Sequence, residues 1–157
     1  QLIDYLTIHI WPANWNWCTR ARLWEDLPNV YQKAEAYTDR HIRFANKVGK
    51  PIVIEEFGYP RDGNFCGADS PTQCRDAFYG YILGLVVTSS QRSGSLSGCN
   101  FWGWGGKGRP ERTEWQRGND FLCDPPHEPQ GWYSVFDSDS TTIELLKTEI
   151  RKLKTDE

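Results

Sequence analysis

Glu56 follows the run Ile52-Val53-Ile54-Glu55 and precedes Phe57-Gly58. An acid at the end of an apolar strand is carried by a rigid element and faces the mouth of the sheet, a setting that suits a nucleophilic carboxylate. In that chemistry the carboxylate attacks an anomeric carbon, while a protonated carboxyl about 5–5.5 Å away donates to the leaving oxygen. The structural alternative is a strand-end acid bound to a neighbouring Arg or backbone N–H. Glu55 points to the opposite side if the strand alternates strictly, and is expected to be a structural acid packed with a partner between sheet and helices. His9 and Trp11, two residues apart, share a face, as do Trp102 and Trp104. His9 there would hydrogen bond to a sugar hydroxyl or to the nucleophile, or else be a satisfied core residue. Trp15 and Trp17 follow in a loop, as sugar platforms or as packing.

Three apolar runs must carry these residues. Leu2 to Ile10 is rich in Ile, Tyr, Leu and Thr and stops at Trp11-Pro12, which reads as a buried strand. From Val30, the positions Ala34, Tyr37, His41, Phe44 and Val48 step by three and four before Gly49, the pattern of an amphipathic helix of about five turns. Pro51 opens the second strand, which ends at Glu56. Ser70-Pro71 reads as an N-cap and first helical residue, with the helix running to about Val87. Ser97 to Trp104 is the third strand, Lys107 to Gly131 a long loop, and Thr141-x-x-Glu144 a capping box opening a helix with the stripe Ile143, Leu146, Ile150 and Leu153. The order β-α-β-α-β-α predicts parallel sheet covered by helices, with the polar and aromatic residues at the carboxyl ends of the strands, where such folds place their sites. Three units are too few to close a (β/α)8 barrel alone, and a small open sheet is the other possibility.

The 157 residues fit one domain, and their formal net charge of −3 gives no basic field for nucleic acid. No run approaches the roughly 18 apolar residues of a membrane span. Beginning at Gln1 with no leader, the chain reads as an excerpt of a longer protein. The 8 Trp exceed what a core of this size needs, and indoles lining a groove suit flat, partly apolar ligands such as sugar rings. With 5 Cys, at least one is free or pairs outside the segment; Cys66 and Cys74 flank a loop that a disulfide could close in a secreted protein. The cysteines form no paired C-x-x-C motifs and the His are scattered, so no structural zinc site is expected.

The segments Ile3-Asp4-Tyr5-Leu6-Thr7-Ile8-His9-Ile10-Trp11-Pro12, Gly49-Lys50-Pro51-Ile52-Val53-Ile54-Glu55-Glu56-Phe57-Gly58 and Asn100-Phe101-Trp102-Gly103-Trp104 resemble, in order and spacing, strands six, seven and eight of glycoside hydrolase family 5, and most closely its endo-β-1,4-mannanases. The resemblance extends through Glu128-Pro129-Gln130-Gly131-Trp132-Tyr133-Ser134-Val135-Phe136-Asp137. It implies an α/β fold comprising the carboxyl-terminal three β/α units of a (β/α)8 TIM barrel, incomplete in this chain, with residues 1–157 forming part of one catalytic domain. By resemblance Glu56 matches the nucleophile, His9 the substrate-binding histidine, and Trp102 the tryptophan flooring the subsite where the bond breaks. Trp11 stands where members commonly carry a Tyr bonded to the nucleophile; its indole can donate but not accept. The family's general acid is a Glu after Asn on strand four, and no Asn-Glu dipeptide occurs here. The loop acids Glu111, Glu114, Asp120, Asp124 and Glu128 could contact substrate but are expected to be solvated.

The expected function is therefore retaining, endo-acting hydrolysis of β-1,4-mannosidic bonds in mannan, glucomannan or galactomannan. Glu56 would be the nucleophile and His9, Trp11, Trp15, Trp17, Trp102 and Trp104 the substrate contacts, with no metal or organic cofactor. The expected partners are the polysaccharide and the remainder of the barrel, and the expected location is secreted or periplasmic. A β-1,4-glucanase of the same family, a non-catalytic carbohydrate-binding protein and an assembly fragment with exposed barrel edges are the competing readings.

Overall fold

Ile8, Ile10, Ile52 and Ile54 are buried, the residues that alternate with them, His9 and Val53, are half-buried, and Thr7 and Glu55 are exposed, so one face of the sheet is apolar and fully covered and the other is not. That face draws helices onto it. The computed structural model describes residues 2–119 and 122–153, and Asp120 lies outside them. Its elements are β1 (Leu6–Ile10), α1 (Leu27–Val48), β2 (Ile52–Phe57), α2 (Gln73–Gln91), β3 (Leu96–Phe101), β4 (Trp104–Gly106), β5 (Val135–Phe136) and α3 (Ser140–Lys152). Strands β1, β2 and β3 form a parallel sheet with β2 central, and β4 pairs with β5 in a second, two-stranded parallel sheet. Val30, Ala34 and Ala45 of α1 and Phe78, Ile82 and Val86 of α2 pack with the strand isoleucines into one core. Gly49, at φ +64, ends α1 in the left-handed turn that favours glycine. Among the described residues, no helix is long and apolar enough to cross a membrane.

The central strand carries one residue more than either neighbour at its carboxyl end. Against β1, Ile8 pairs with Ile54 but His9 with Glu56. Against β3, the pairs Ile54–Cys99 and Phe57–Phe101 enclose two residues of β2 and one of β3. Both flanks therefore place an extra residue in the Glu55-Glu56 step, as in a β-bulge.

Three expectations are corrected. The third strand ends at Phe101 and Trp104 begins β4, so Trp102 lies in the bend between them and does not share a strand face with Trp104. Helix α2 starts at Gln73 rather than Pro71, because the Asp62 carboxylate accepts the Gln73 and Cys74 N–H groups at 3.1 and 2.6 Å and supplies the cap from outside the helix. The Thr141 hydroxyl donates to Asp76 of α2 instead of closing a capping box on α3. In addition, Cys66 and Cys74 are free thiols. Cys74 is buried in the main core and Cys66 packs against the separate cluster of Ala13, Trp132 and Tyr133, so the side chains serve different clusters.

A buried ion cluster fixes the last third of the chain to the sheet. Arg61, just after β2, and Arg75 of α2 are wholly buried and both donate to Asp139, which precedes α3, at 2.6 to 3.0 Å. Both also donate to the Ser134 carbonyl, at 3.2 and 2.9 Å. Asp139 further accepts the Phe136 N–H at 2.8 Å. Burial acts to raise the Asp139 carboxyl, but the two guanidiniums and the Phe136 N–H together hold it below the ordinary aspartate value. Its folded value being depressed, its stabilisation is complete above the unfolded carboxyl range near pH 4 and is lost as pH falls through the lower folded value. Asp139→Asn is expected to cost about 3–5 kcal/mol in a denaturant titration of the complete protein, since it leaves two buried cations uncompensated. The deficit of the variant is expected to shrink in titrations run at progressively lower pH below 4.

Candidate active site

The extra residue in β2 decides where the adjacent acids go. Ile52 and Ile54 face the helices, so strict alternation would turn Glu55 away from them and Glu56 toward them. The bulge instead returns Glu56 to the side occupied by Glu55 and His9, and Phe57 resumes the buried helix-facing position. Glu55 is thus not the acid expected between sheet and helices. It is exposed, and its Oε2 lies 3.3 Å from His9 Nε2. On the same ring, Nδ1 lies 3.1 Å from Oε2 of half-buried Glu56. His9, on the neighbouring strand, thus lies between the two carboxylates.

Glu56 shares a cavity of about 280 Å³ with Trp11, Asn14, Trp102, Pro125 and Glu128. Trp11 meets Trp102 edge-on at a centroid distance of 6.1 Å and Tyr133 at 4.9 Å. The glycine of Glu56-Phe57-Gly58 has a steric reason: a Cβ there would fall 2.7 Å from the Trp11 ring and 2.8 Å from that of Tyr133. Trp102 is fixed through its backbone, with its N–H donating to the Phe57 carbonyl at 2.8 Å and its carbonyl accepting from the Tyr79 hydroxyl at 3.1 Å. The Trp102–Gly103 peptide bond is cis.

The rim is tied by residues that composition and spacing did not mark. The Tyr133 hydroxyl donates to Asn14 Oδ1 at 2.5 Å and the Asn14 amide donates to Glu128 Oε1 at 2.8 Å. Asn14 had no motif to signal it; Glu128, expected on solvated surface, is half-buried in the cavity wall. Asp124, also expected on the surface, is buried and accepts the N–H groups of Gly131 and Tyr133 at 2.8 Å and the Ser134 hydroxyl at 2.5 Å. Burial pushes its carboxyl above the ordinary aspartate value even though these donors oppose the shift. Cys123 bonds Ser134 Oγ and the Gly103 carbonyl, and burial pushes its thiol up to about 11, which makes it an inert packing group rather than a nucleophile.

Of the seven site residues read from the sequence, Glu56, Trp11 and Trp102 line this cavity and His9 touches Glu56. Trp15, Trp17 and Trp104 are not brought to it. Trp15 and Trp17 form an edge-on pair at 5.0 Å over Tyr37 of α1, and Trp104 is exposed on β4. Among the described residues, no group of three or more His, Cys, Asp or Glu could hold a metal ion.

A carboxylate and indole rings gathered at the carboxyl ends of parallel strands define an α/β protein with its site at the strand mouths. Residues 1–157 match the model of the glycoside hydrolase family 5 β-mannosidase-like proteins, and the chain belongs to that family. It is similar to the family 5 mannosidase of Rhizomucor miehei, with 35% identity, a TM-score of 0.85 and coverage of 97% of this chain and 38% of that one. A mutant of that enzyme in complex with mannosyl-fructose matches with a TM-score of 0.84. The endo-β-1,4-mannanase of Thermotoga petrophila shares the fold, with 24% identity, a TM-score of 0.60 and coverage of 99% and 27% of the two chains. No curated protein matches the chain in sequence. The parallel sheet and its helices are thus part of a TIM-barrel family fold, and the chain spans 38% of the length of the mannosidase.

Gly58→Ala is expected to force the Trp11 and Tyr133 rings apart and to destabilise the complete protein by about 1–3 kcal/mol. Denaturant unfolding measures the cost, and tryptophan fluorescence of the folded state should report the displaced indole.

Proposed function

We propose that the complete protein hydrolyses β-mannosidic bonds with retention of configuration, residues 1–157 forming the carboxyl-terminal three β/α units of its catalytic barrel and Glu56 acting as the nucleophile. The observation that carries this reading is the half-buried Glu56 carboxylate, held by His9 in a cavity shared with Trp11 and Trp102. A Glu56 oxygen attacks the anomeric carbon as the glycosidic C–O bond breaks, and the departing oxygen takes its proton from an acid supplied outside these residues. Water, deprotonated by that same group, then attacks the anomeric carbon and releases the Glu56 ester. Trp102 stacks under the reacting sugar, His9 orients the nucleophile, and Trp11 donates from its indole. Neither displacement calls for a metal or organic cofactor.

Two observations bear on where along a glycan the protein cuts. Identity to the R. miehei mannosidase, at 35%, favours release of a terminal mannose. Exposed Trp15 and Trp104, outside the cavity, favour a longer chain and the internal cleavage of mannan or glucomannan, with Trp17 beneath Trp15. We take terminal release as the leading reading. A polymer-derived substrate fits a secreted or periplasmic protein.

In the complete protein, Glu56→Gln should lower turnover on the order of a thousandfold or more while leaving substrate binding nearly intact. Proton NMR of the first product should show the β-anomer; α-anomer first would exclude double displacement. With a linear mannohexaose, mannose as the sole early product supports terminal release, a mixture of shorter oligosaccharides supports internal cleavage, and cleavage of a glucan alone overturns the mannoside reading. Trp102→Ala should depress kcat more than Trp15→Ala, because a platform under the distorting ring contributes in the transition state. Equal losses in kcat would give the two indoles equivalent roles.

A further inference from the structure

Glu55 has no part in the displacement described above, yet it lies against the same histidine as the nucleophile. We propose that Glu55 is a positioning residue, acting through His9 to hold the ring in the one orientation that meets Glu56; this rests on the reading of Glu56 as nucleophile. The His9 ring lies on β1, on the side of the sheet away from the helices, with a carboxylate at each ring nitrogen. Its Nδ1 meets Glu56 at 3.1 Å and its Nε2 meets Glu55 at 3.3 Å. A ring turned by half a revolution about χ2 would present Cδ2 and Cε1 to the two carboxylates and satisfy neither. With the proton on Nε2, Glu55 accepts it and selects this rotamer, and the bulge that brings Glu56 to this side is what allows neighbouring residues to flank one ring at both nitrogens.

The chemistry predicts that an acceptor at position 55, rather than its charge, carries the effect. The test compares Glu55→Leu with Glu55→Gln in the complete protein, the amide oxygen of Gln being able to accept from Nε2–H. Glu55→Leu is expected to lower kcat about tenfold or more with KM within about threefold of the parent, since a misplaced group penalises the reacting geometry. Glu55→Gln should recover kcat to within about threefold. In protein labelled with 15N at histidine, the His9 ring resonances should move in Glu55→Leu and return in Glu55→Gln, with those of His41 and His127 unmoved. An undiminished kcat in Glu55→Leu, equal losses in the two variants, or His9 resonances unchanged by the Leu substitution would each overturn the proposal. Should Glu55→Leu fail to fold by circular dichroism, Glu55→Gln decides: parental kcat and ring resonances support the role of an acceptor, and loss of both overturns it. A parent protein that cleaves no β-mannoside would refute the proposed function, while the ring resonances would still decide whether Glu55 orients His9.

Discussion

The geometry of the site rests on one residue of excess length in β2. Ile52 and Ile54 turn toward the helices, and a regular strand would send Glu56 after them into an apolar layer, where an unpaired carboxylate costs several kcal/mol. The bulge, recorded by the register on both flanks, sends Glu56 to the other side and lets Phe57 return to the core. The strand keeps its anchors above and below the irregular step, so the acid sits on a rigid support although the ladder is locally broken. The pairing of His9 with Glu56, the approach of Glu55 to the same ring and the burial of Phe57 all follow from that insertion.

Around this strand end, close packing and hydrogen bonding act together. Gly58 leaves room for Trp11 and Tyr133 to meet at 4.9 Å, and Tyr133 in turn reaches Asn14 and, through it, Glu128. Asp124 holds the Gly131 to Ser134 backbone behind these rings, and Ser134 and Cys123 extend the network to the Gly103 carbonyl beside Trp102. The walls of the cavity are thereby connected to one another through hydrogen-bonded polar groups, buried at Asp124 and Ser134 and exposed at Asn14.

The order of strands and helices could be read from the chain because apolar periodicity and Gly49 are local signals. Their ends were less legible. Asp62 caps α2 from outside the helix, and Thr141 is drawn to Asp76 on another helix, so neither boundary was written in adjacent residues. The break between β3 and β4 was hidden because Trp102 and Trp104 keep strand spacing although Trp102 lies in the bend between two different sheets. Glu56 was legible from its place after an apolar run, but the side taken by Glu55 was not, since a bulge is visible only against the neighbouring strands. Asn14 and Glu128 meet across 114 positions, a separation at which composition and spacing carry no signal.

The Arg61, Arg75 and Asp139 cluster also sets an order of events during synthesis. The arginines precede the aspartate by 78 and 64 positions, so both are made well before the carboxylate that they share in the finished fold. At about 5–20 residues per second, roughly 3–13 s separate Arg75 from Asp139 on the ribosome. Through that interval the nascent sheet and α2 cannot close over the guanidiniums without burying unmatched positive charge. The emerging polypeptide is therefore expected to stay open and hydrated at the foot of α2 until Asp139 and α3 arrive, and nascent-chain chaperones would meet that cationic, half-assembled surface.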